Sequence, residues 1–311
     1  MHEVILHNYD ASPFAEKIRL IMGYKQLSWR WANIPRIMPK PDLTALTGGY
    51  RKTPVLQVGA DVYCDTALIA RRLEAEKATP TLYPEGQEFV CSSFALWVDS
   101  VVFQHAVALA FQPEAMAQRF ANVPVPFQQA FAADRAGLFS GGSSTRLQLA
   151  QAQLQWPVLM ERLQQQLSRG AGEYLFGEPS IADFSLAHCL WFVKSSAITA
   201  ALVEDYSEVA AWLARVLGFG HGSHTPMSAE EALEVARSAQ PAALPEAPLV
   251  AVPGVKIGRQ VSIAATDYGA DPVFGELLYA SSEQLILRRE DPRSGQVHVH
   301  FPRFGFKVEA C

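Results

Sequence analysis

The N-terminal part of the chain alternates strand-like apolar runs with segments of helical periodicity. Four runs have the length or alternation of strands, residues 4–6, 29–31, 53–58 and 62–64. Apolar residues recur at three- and four-residue spacing over 14–22 and 68–73, which predicts two helices. Ser12-Pro13 and Asp65-Thr66 have the residue types that begin helices. The order of these elements predicts an α/β domain over residues 1–82.

The middle of the chain has helical spacing almost throughout, which predicts an all-helical domain over residues 89–217. Ser180 and Asp183 lie three residues apart before an apolar segment, a spacing typical of a capping box at a helix N-terminus. Residues 218–253 combine a Gly-rich loop, a short helical segment and a proline-spaced stretch, which predicts a linker.

The C-terminal part changes to β-type alternation over residues 254–311. Four runs alternate valine, isoleucine and aromatic residues with polar ones: 255–265, 273–280, 285–289 and 297–308. They predict a small β-rich module. A module of that size has a marginal core by itself, so we expect it to pack on the rest of the chain.

Composition narrows the function classes. Lys plus Arg total 26 against 31 Asp plus Glu, so the net charge of -5 gives no footprint for nucleic acid. The four cysteines form no metal-ligand or disulfide spacing, and the N-terminus lacks a signal-peptide pattern, so we expect a cytoplasmic protein. The most apolar stretch, Phe94 to Phe111, carries Asp99 and therefore predicts a buried bundle helix rather than a membrane span.

The histidines invite a metal hypothesis that their spacing does not support. His298 and His300 share one strand face, and His221 and His224 lie three residues apart in the Gly-rich loop. Two ligands are too few for a metal centre without a nearby cysteine or carboxylate cluster. We therefore expect no metal site and a solvated face for His298 and His300.

Four motifs together resemble the cytosolic glutathione S-transferase family, in particular its Ser-type and bacterial members. They are YDASPFAEKIRL (9–20), TPVL (53–56), Asp65-Thr66 and SIAD (180–183). The resemblance implies a thioredoxin-like N-terminal domain followed by an all-helical bundle domain. It also implies a detoxification enzyme that is a homodimer, with glutathione as co-substrate and a small-molecule electrophile as second substrate. The β-rich tail is similar to one found on some microbial and fungal transferase-like proteins.

The resemblance assigns thiol activation to Ser12, with Tyr9 as the alternative hydroxyl. A free thiol has a pKa near 8.5, and lowering it by about two units requires about 2.7 kcal/mol. A charge-assisted hydrogen bond of roughly 1.5–3 kcal/mol and a helix N-terminus of roughly 0.3–1 kcal/mol can supply that amount. Because position 12 is not cysteine, the thiol-disulfide branch of the family is disfavoured.

The same resemblance places glutathione on three further segments. A cis peptide at Thr53-Pro54 would present the Val55 backbone to the cysteinyl residue of glutathione. Asp65 and Thr66 would hold the γ-glutamyl end, although Asp65 is one methylene shorter than the family's usual Glu. The candidates for the glycyl carboxylate are Lys40, Arg51 and Lys52, and Lys52, next to the turn, is favoured.

The electrophile pocket is expected to be apolar, with five candidate residues that plain core packing would also explain: Phe14, Met38, Trp97, Phe103 and Phe111. In some family members a carboxylate at the place of Asp99 reaches glutathione across the dimer interface, and burial beside His105 or Ser100 is the alternative. The unassigned tail and the short Asp65 leave a second hypothesis open, a non-catalytic glutathione-binding or interaction scaffold. In a third, the tail covers the active site or builds the oligomer.

Overall fold

A computed structural model describes residues 3–170 and 172–311 and confirms the predicted fold class. The N-terminal domain contains β1 (Val4–Asn8), α1 (Pro13–Tyr24), β2 (Ser28–Asn33), α2 (Pro41–Thr47), β3 (Val55–Val58), β4 (Asp61–Cys64) and α3 (Thr66–Glu76). Strand β1 is parallel to β2 and antiparallel to β3, and β3 is antiparallel to β4. This is the thioredoxin-like arrangement.

Helix α1 begins as its sequence predicts. The Ser12 side chain accepts a hydrogen bond from the Ala15 N–H at 3.3 Å, and Pro13 occupies the first helical turn. The charged side of α1 is buried as well, and helix α9 also packs on α1. Arg19 there pairs with Glu16 at 2.6 Å, so the charges of this helix are compensated inside the protein.

The helical domain follows. It contains α4 (Glu88–Trp97), a π-helical turn (Val98–Val102), α5 (Phe103–Ala110), α6 (Pro113–Arg119), α7 (Val125–Leu138), α8 (Leu149–Arg169), α9 (Ile181–Lys194), α10 (Ala201–Glu204) and α11 (Ser207–Leu217). Helix α9 is buried almost along its whole length. It begins with the predicted capping box of Ser180 and Asp183. Asp183 also accepts the Trp212 indole N–H at 3.0 Å, which ties α9 to α11.

The helix from Glu88 to Ala110 is long and apolar enough to cross a membrane by length and composition. In its most apolar window, 44% of the residues are buried inside the protein. The core helix of a folded domain has the same properties, and α4 and α5 both pack on α9. The stretch is therefore part of the helical core.

The C-terminal strands extend the thioredoxin-like sheet. They are β5 (Ser223–Met227), β6 (Gln260–Ala265), β7 (Val273–Ala280), β8 (Gln284–Asp291), β9 (Gly295–Pro302) and β10 (Phe306–Ala310), with α12 (Ala229–Ser238) between β5 and β6. The ten strands form one sheet in the order β10-β6-β7-β8-β9-β4-β3-β1-β2-β5. Strand β9 is parallel to β4, and β5 is parallel to β2. The chain beyond the helical domain thus covers both edges of the N-terminal sheet.

Two features of the tail differ from the sequence prediction. The predicted linker contains a strand, β5, whose polar sequence SHTPM gives no β-type alternation. The predicted run 297–308 divides into β9 and β10, because a turn at Arg303–Gly305 separates the two strands and β10 pairs with β6 instead of β8. The core around the β4–β9 junction is shared, since Tyr50, Val62 and Phe301 lie in one buried cluster.

The expected solvated face for His298 and His300 is wrong. Both side chains are buried, because β9 pairs with β4 and brings them against Asp61. His300 Nε2 lies 2.9 Å from an Asp61 oxygen, and its ring stacks on Tyr63 at 4.2 Å. Burial lowers the pKa of both histidines. Within residues 3–170 and 172–311, no group of three or more histidine, cysteine or acidic side chains is arranged to hold a metal ion.

Candidate active site

A cavity of about 350 Å³ lies where the N-terminal domain, the helical domain and the tail meet. Its wall includes Ser12 at the start of α1, Thr53 before β3, and Tyr268 from the tail. Eight phenylalanines form a large part of the remaining wall: Phe14, Phe103, Phe111, Phe120, Phe127, Phe131, Phe139 and Phe192. The cavity therefore joins one polar end to a long aromatic interior, a shape typical of ligand sites.

Ser12 lies at the polar end and is only 2% exposed. Its Oγ already accepts the Ala15 N–H, so its own hydroxyl hydrogen is available to donate. The donor is polarised by the helix N-terminus beside it. Tyr9 also lines the cavity, and the Lys40 ammonium lies 5.8 Å from the centre of its ring. Both hydroxyl candidates from the sequence are thus in the same cavity.

Lys40 lies next to the Thr53–Pro54 bond, which is cis, as the family resemblance implies. Its Nζ donates to Thr53 Oγ1 at 3.0 Å, and the side chain is buried. Burial is the main cause that lowers the pKa of Lys40, to about 8. Within the described part of the chain, no carboxylate forms a salt bridge with Lys40.

Lys52, the favoured candidate for the glycyl carboxylate, is already paired with the tail. Its Nζ lies 2.6 Å from an Asp267 oxygen and 4.2 Å from the centre of the Tyr268 ring. Arg51 is paired with Asp134 at 2.9 Å. The neighbours of Lys52 lie more than 200 residues away in the sequence, so a local sequence pattern cannot predict these contacts.

Asp65 and Thr66 cap α3, as their residue types predict. Asp65 accepts the Ala67 N–H at 3.0 Å and has a backbone φ of 75°. Burial raises the pKa of Asp65, and the positive charges of Lys52 and Lys17 oppose that shift. Together with Pro54 and Val55, these two residues lie outside the wall of the aromatic cavity.

Asp99 belongs to a buried network that the sequence did not reveal. One oxygen lies 2.5 Å from Lys17 Nζ, and the other lies 3.0 Å from His188 Nε2. Lys17 also donates to Thr66 Oγ1 at 3.4 Å, which links this network to the start of α3. The predicted alternative partners are wrong, since His105 and Ser100 bond elsewhere. The only signal in the sequence was a carboxylate inside an apolar helix.

Only some of the residues predicted for the electrophile pocket line the cavity. Phe14, Phe103 and Phe111 line the cavity, whereas Met38 and Trp97 do not. Trp97 is 41% exposed and packs on Phe94. Helical periodicity identified these residues as apolar but could not tell which face of the bundle borders the cavity. Sequence reasoning also missed much of the wall, including Arg119, Phe131, Phe192 and Tyr268.

A thioredoxin-like domain, a helical bundle and a cavity between them define a protein of the glutathione transferase type. The profile of the glutathione S-transferase N-terminal domain matches residues 6–81, and the profile of the C-terminal domain matches residues 155–215. A GST-like protein from Pseudomonas syringae is 53% identical over 100% of both chains, with a TM-score of 0.85. The chain belongs to the glutathione S-transferase family.

More distant structures share the fold alone. A glutathione S-transferase from Methylobacillus flagellatus with glutathione bound is 17% identical, covering 72% of this chain and 100% of that chain, with a TM-score of 0.51. FzlA from C. crescentus is 21% identical, covering 69% of this chain and 87% of that chain, also with a TM-score of 0.51. The comparison with curated proteins gave no match.

Proposed function

We propose that this protein is a glutathione transferase that stabilises the glutathione thiolate with Ser12 and directs it at an apolar electrophile in the aromatic cavity. The observation that carries the proposal is the position of the Ser12 hydroxyl, at a helix N-terminus and on the cavity wall. The hydroxyl donates to the sulfur, and the helix N-terminus favours the negative charge. Glutathione is the nucleophile, so no covalent enzyme intermediate is needed.

Lys40 supports the binding of glutathione. A buried ammonium group beside Thr53, with no carboxylate partner among the described residues, is suited to hold the glycyl carboxylate. Lys52 is less suited, because Asp267 already neutralises it. At the other end, Asp65 and Thr66 would receive the γ-glutamyl group, with the Lys17–Asp99 pair fixing Thr66.

The test compares Ser12→Ala and Tyr9→Phe with the wild type. Absorbance of the thiolate near 240 nm gives the pKa of bound glutathione, and calorimetry gives its affinity. We expect Ser12→Ala to raise the thiol pKa by about one to two units and to lower kcat by about 10- to 100-fold, with affinity little changed. Tyr9→Phe is the matched variant, because it removes only the hydroxyl of the alternative activating residue.

Two results would contradict this assignment. A large effect of Tyr9→Phe with none from Ser12→Ala would move thiol activation to the tyrosine. Bound glutathione with an unshifted thiol pKa, and no turnover of chloronitrobenzene electrophiles, would leave a non-catalytic glutathione-binding protein.

The proposed homodimer is supported by an exposed apolar face on α4 and the π-helical turn. Its members are Phe89, Val90, Leu96, Trp97 and Val101. Exposed apolar patches of this kind mark interaction surfaces. Sedimentation analysis should give twice the chain mass, and Trp97→Asp should shift the protein toward the monomer. A monomer in the wild type would contradict the proposal.

A further inference from the structure

The aromatic cavity carries more positive charge than its surroundings neutralise. Six cationic side chains line it, and no carboxylate of the described residues does: Arg36, Lys40, Arg51, Lys52, Arg119 and Arg135. Asp134 pairs with both Arg51 and Arg135, and Asp267 pairs with Lys52. The other three cations form no salt bridge within residues 3–170 and 172–311.

These three cations occupy different parts of the cavity. Lys40 lies beside Thr53, at the end assigned to glutathione. Arg36 is exposed, so water already solvates its charge. Arg119 is the last residue of α6 and is half-buried in the helical wall, away from the glutathione end. Arg119 is therefore the cation that faces the second substrate.

The Arg119 guanidinium is held in place but is not fully hydrogen-bonded. It lies over the Phe192 ring at 5.3 Å, and its Nη2 donates to the Ser195 hydroxyl at 2.5 Å. Its Nε is buried and has no hydrogen-bond partner in the described part of the chain. Burial lowers the pKa of Arg119, and no acidic neighbour offsets that effect. The guanidinium therefore keeps hydrogen-bonding capacity that a ligand acceptor could use at its accessible nitrogen atoms.

An aromatic surface connects this cation to the activating serine. Phe14, two residues after Ser12, contacts Phe103 with ring centres 4.6 Å apart. Phe103 stacks on Phe192 at 6.5 Å, and Arg119 lies on Phe192. A planar ligand can thus lie along the rings, with one end at Ser12 and the other at Arg119.

We propose that the electrophile is an aromatic acid whose ring lies along Phe14, Phe103 and Phe192 and whose carboxylate pairs with Arg119. The guanidinium suits a carboxylate because its planar donors match two oxygens. The part of this inference that concerns reaction rests on the proposed function. The part that concerns binding does not.

A chloronitrobenzoate illustrates the reaction. The glutathione sulfur attacks the ring carbon that carries chlorine and forms a C–S bond. The C–Cl bond then breaks, and chloride leaves with the bonding electron pair. The thiol proton goes to solvent, and the carboxylate on Arg119 is unchanged.

Binding is tested first, without glutathione, by calorimetry with 2-naphthoate and 2-naphthamide. These probes have the same ring and differ in charge. We expect the wild type to bind the acid at least 10-fold more tightly than the amide and Arg119→Gln to lose that preference. Arg119→Lys should keep part of it. Arg146→Gln is the control, because Arg146 stacks on Phe139 at 4.7 Å but lies outside the cavity wall and should keep the full preference.

Salt gives a measurement that needs no variant. Raising ionic strength should weaken naphthoate binding to the wild type and leave naphthamide binding unchanged. Equal affinities for the two probes, or a preference that survives Arg119→Gln, would overturn the inference.

Turnover is tested second, with 4-chloro-3,5-dinitrobenzoate and its primary amide. We expect kcat/KM for the acid, relative to the amide, to fall at least 10-fold in Arg119→Gln. An Arg119-dependent preference for naphthoate with no turnover of either chloro compound would refute the transferase assignment and leave the anion site standing. Turnover of both compounds with no preference for the acid would refute the anion site and leave the transferase assignment standing.

Discussion

The Lys40 ammonium group loses its proton more readily than that of an exposed lysine, because its surroundings lower its pKa. Its side chain is buried, and burial lowers its pKa to about 8, whereas an exposed lysine titrates near 10.4. The ammonium is therefore present at neutral pH and lost at mildly alkaline pH. If Lys40 holds the glycyl carboxylate, the affinity for glutathione should depend on pH in the same range, because the charge that binds the carboxylate is lost there.

Replacing Lys40 with Met should weaken the binding of S-methylglutathione by about 10- to 100-fold, which corresponds to a charge-assisted hydrogen bond of roughly 1.5–3 kcal/mol. Calorimetry at pH 7 measures the change. Lys52→Met is the matched control and should have a smaller effect, because Asp267 already pairs with Lys52. A larger loss in Lys52→Met would assign the carboxylate to Lys52 instead.

The pH dependence of S-methylglutathione binding should identify the same group. This ligand has no thiol to ionise, so its affinity should fall as pH rises through about 8, where Lys40 loses its proton. In Lys40→Arg the guanidinium stays charged, and the fall should be smaller. Parallel profiles in the two proteins would show that titration of Lys40 plays no part.

At the scale of one element, the π-helical turn Val98–Val102 places a carboxylate inside the helical core. Turns of this type widen a helix locally and often occur at functional sites. Asp99 lies in this turn and pairs with Lys17, whose side chain is only 1% exposed. The contact joins the π-helical turn to α1 across the domain boundary and compensates a cation that water cannot reach.

Removing the carboxylate should therefore be costly. Asp99→Leu leaves the Lys17 ammonium buried without its partner, and we expect a loss of about 3–5 kcal/mol in the free energy of unfolding. Urea denaturation followed by circular dichroism measures it. The double variant Lys17→Met with Asp99→Leu should recover most of the loss, since no buried charge remains. Additive losses in the double variant would contradict this account.

Local chemistry explains which elements the sequence could predict. The Ser12-Pro13 start of α1 and the Ser180–Asp183 capping box depend on neighbours within three residues, so both were predictable. The Asp99–Lys17 pair joins residues 82 positions apart, and nothing near Asp99 identifies its partner. The same limit applies to Trp97, since an apolar helical residue can face a cavity, the core or solvent.

At the scale of the whole molecule, the β-rich module that was expected to pack on the rest of the chain instead continues the N-terminal sheet. Alternation predicted the tail strands, but strand pairing is long-range: Val62 of β4 is in register with Val299 of β9. No local pattern specifies such a pairing. Because the sheet passes through β4 and β9, the N-terminal domain and the tail share one buried core.

Because the core is shared, a substitution that leaves a cavity in the core of β9 should also destabilise the N-terminal domain. Phe301 in β9 is fully buried, and Phe301→Ala should lower the free energy of unfolding by about 3–5 kcal/mol. All six tryptophans precede residue 213, so none lies in strands β6–β10 and their fluorescence reports on the rest of the molecule. We expect that fluorescence transition to shift to lower urea in Phe301→Ala.

Phe304→Ala is the control, since Phe304 is 73% exposed, and its transition should match the wild type. If the tryptophan transition stays at the wild-type midpoint in Phe301→Ala while the tail strands lose protection from hydrogen exchange, the tail unfolds as a separate unit and the shared core contributes little to cooperativity.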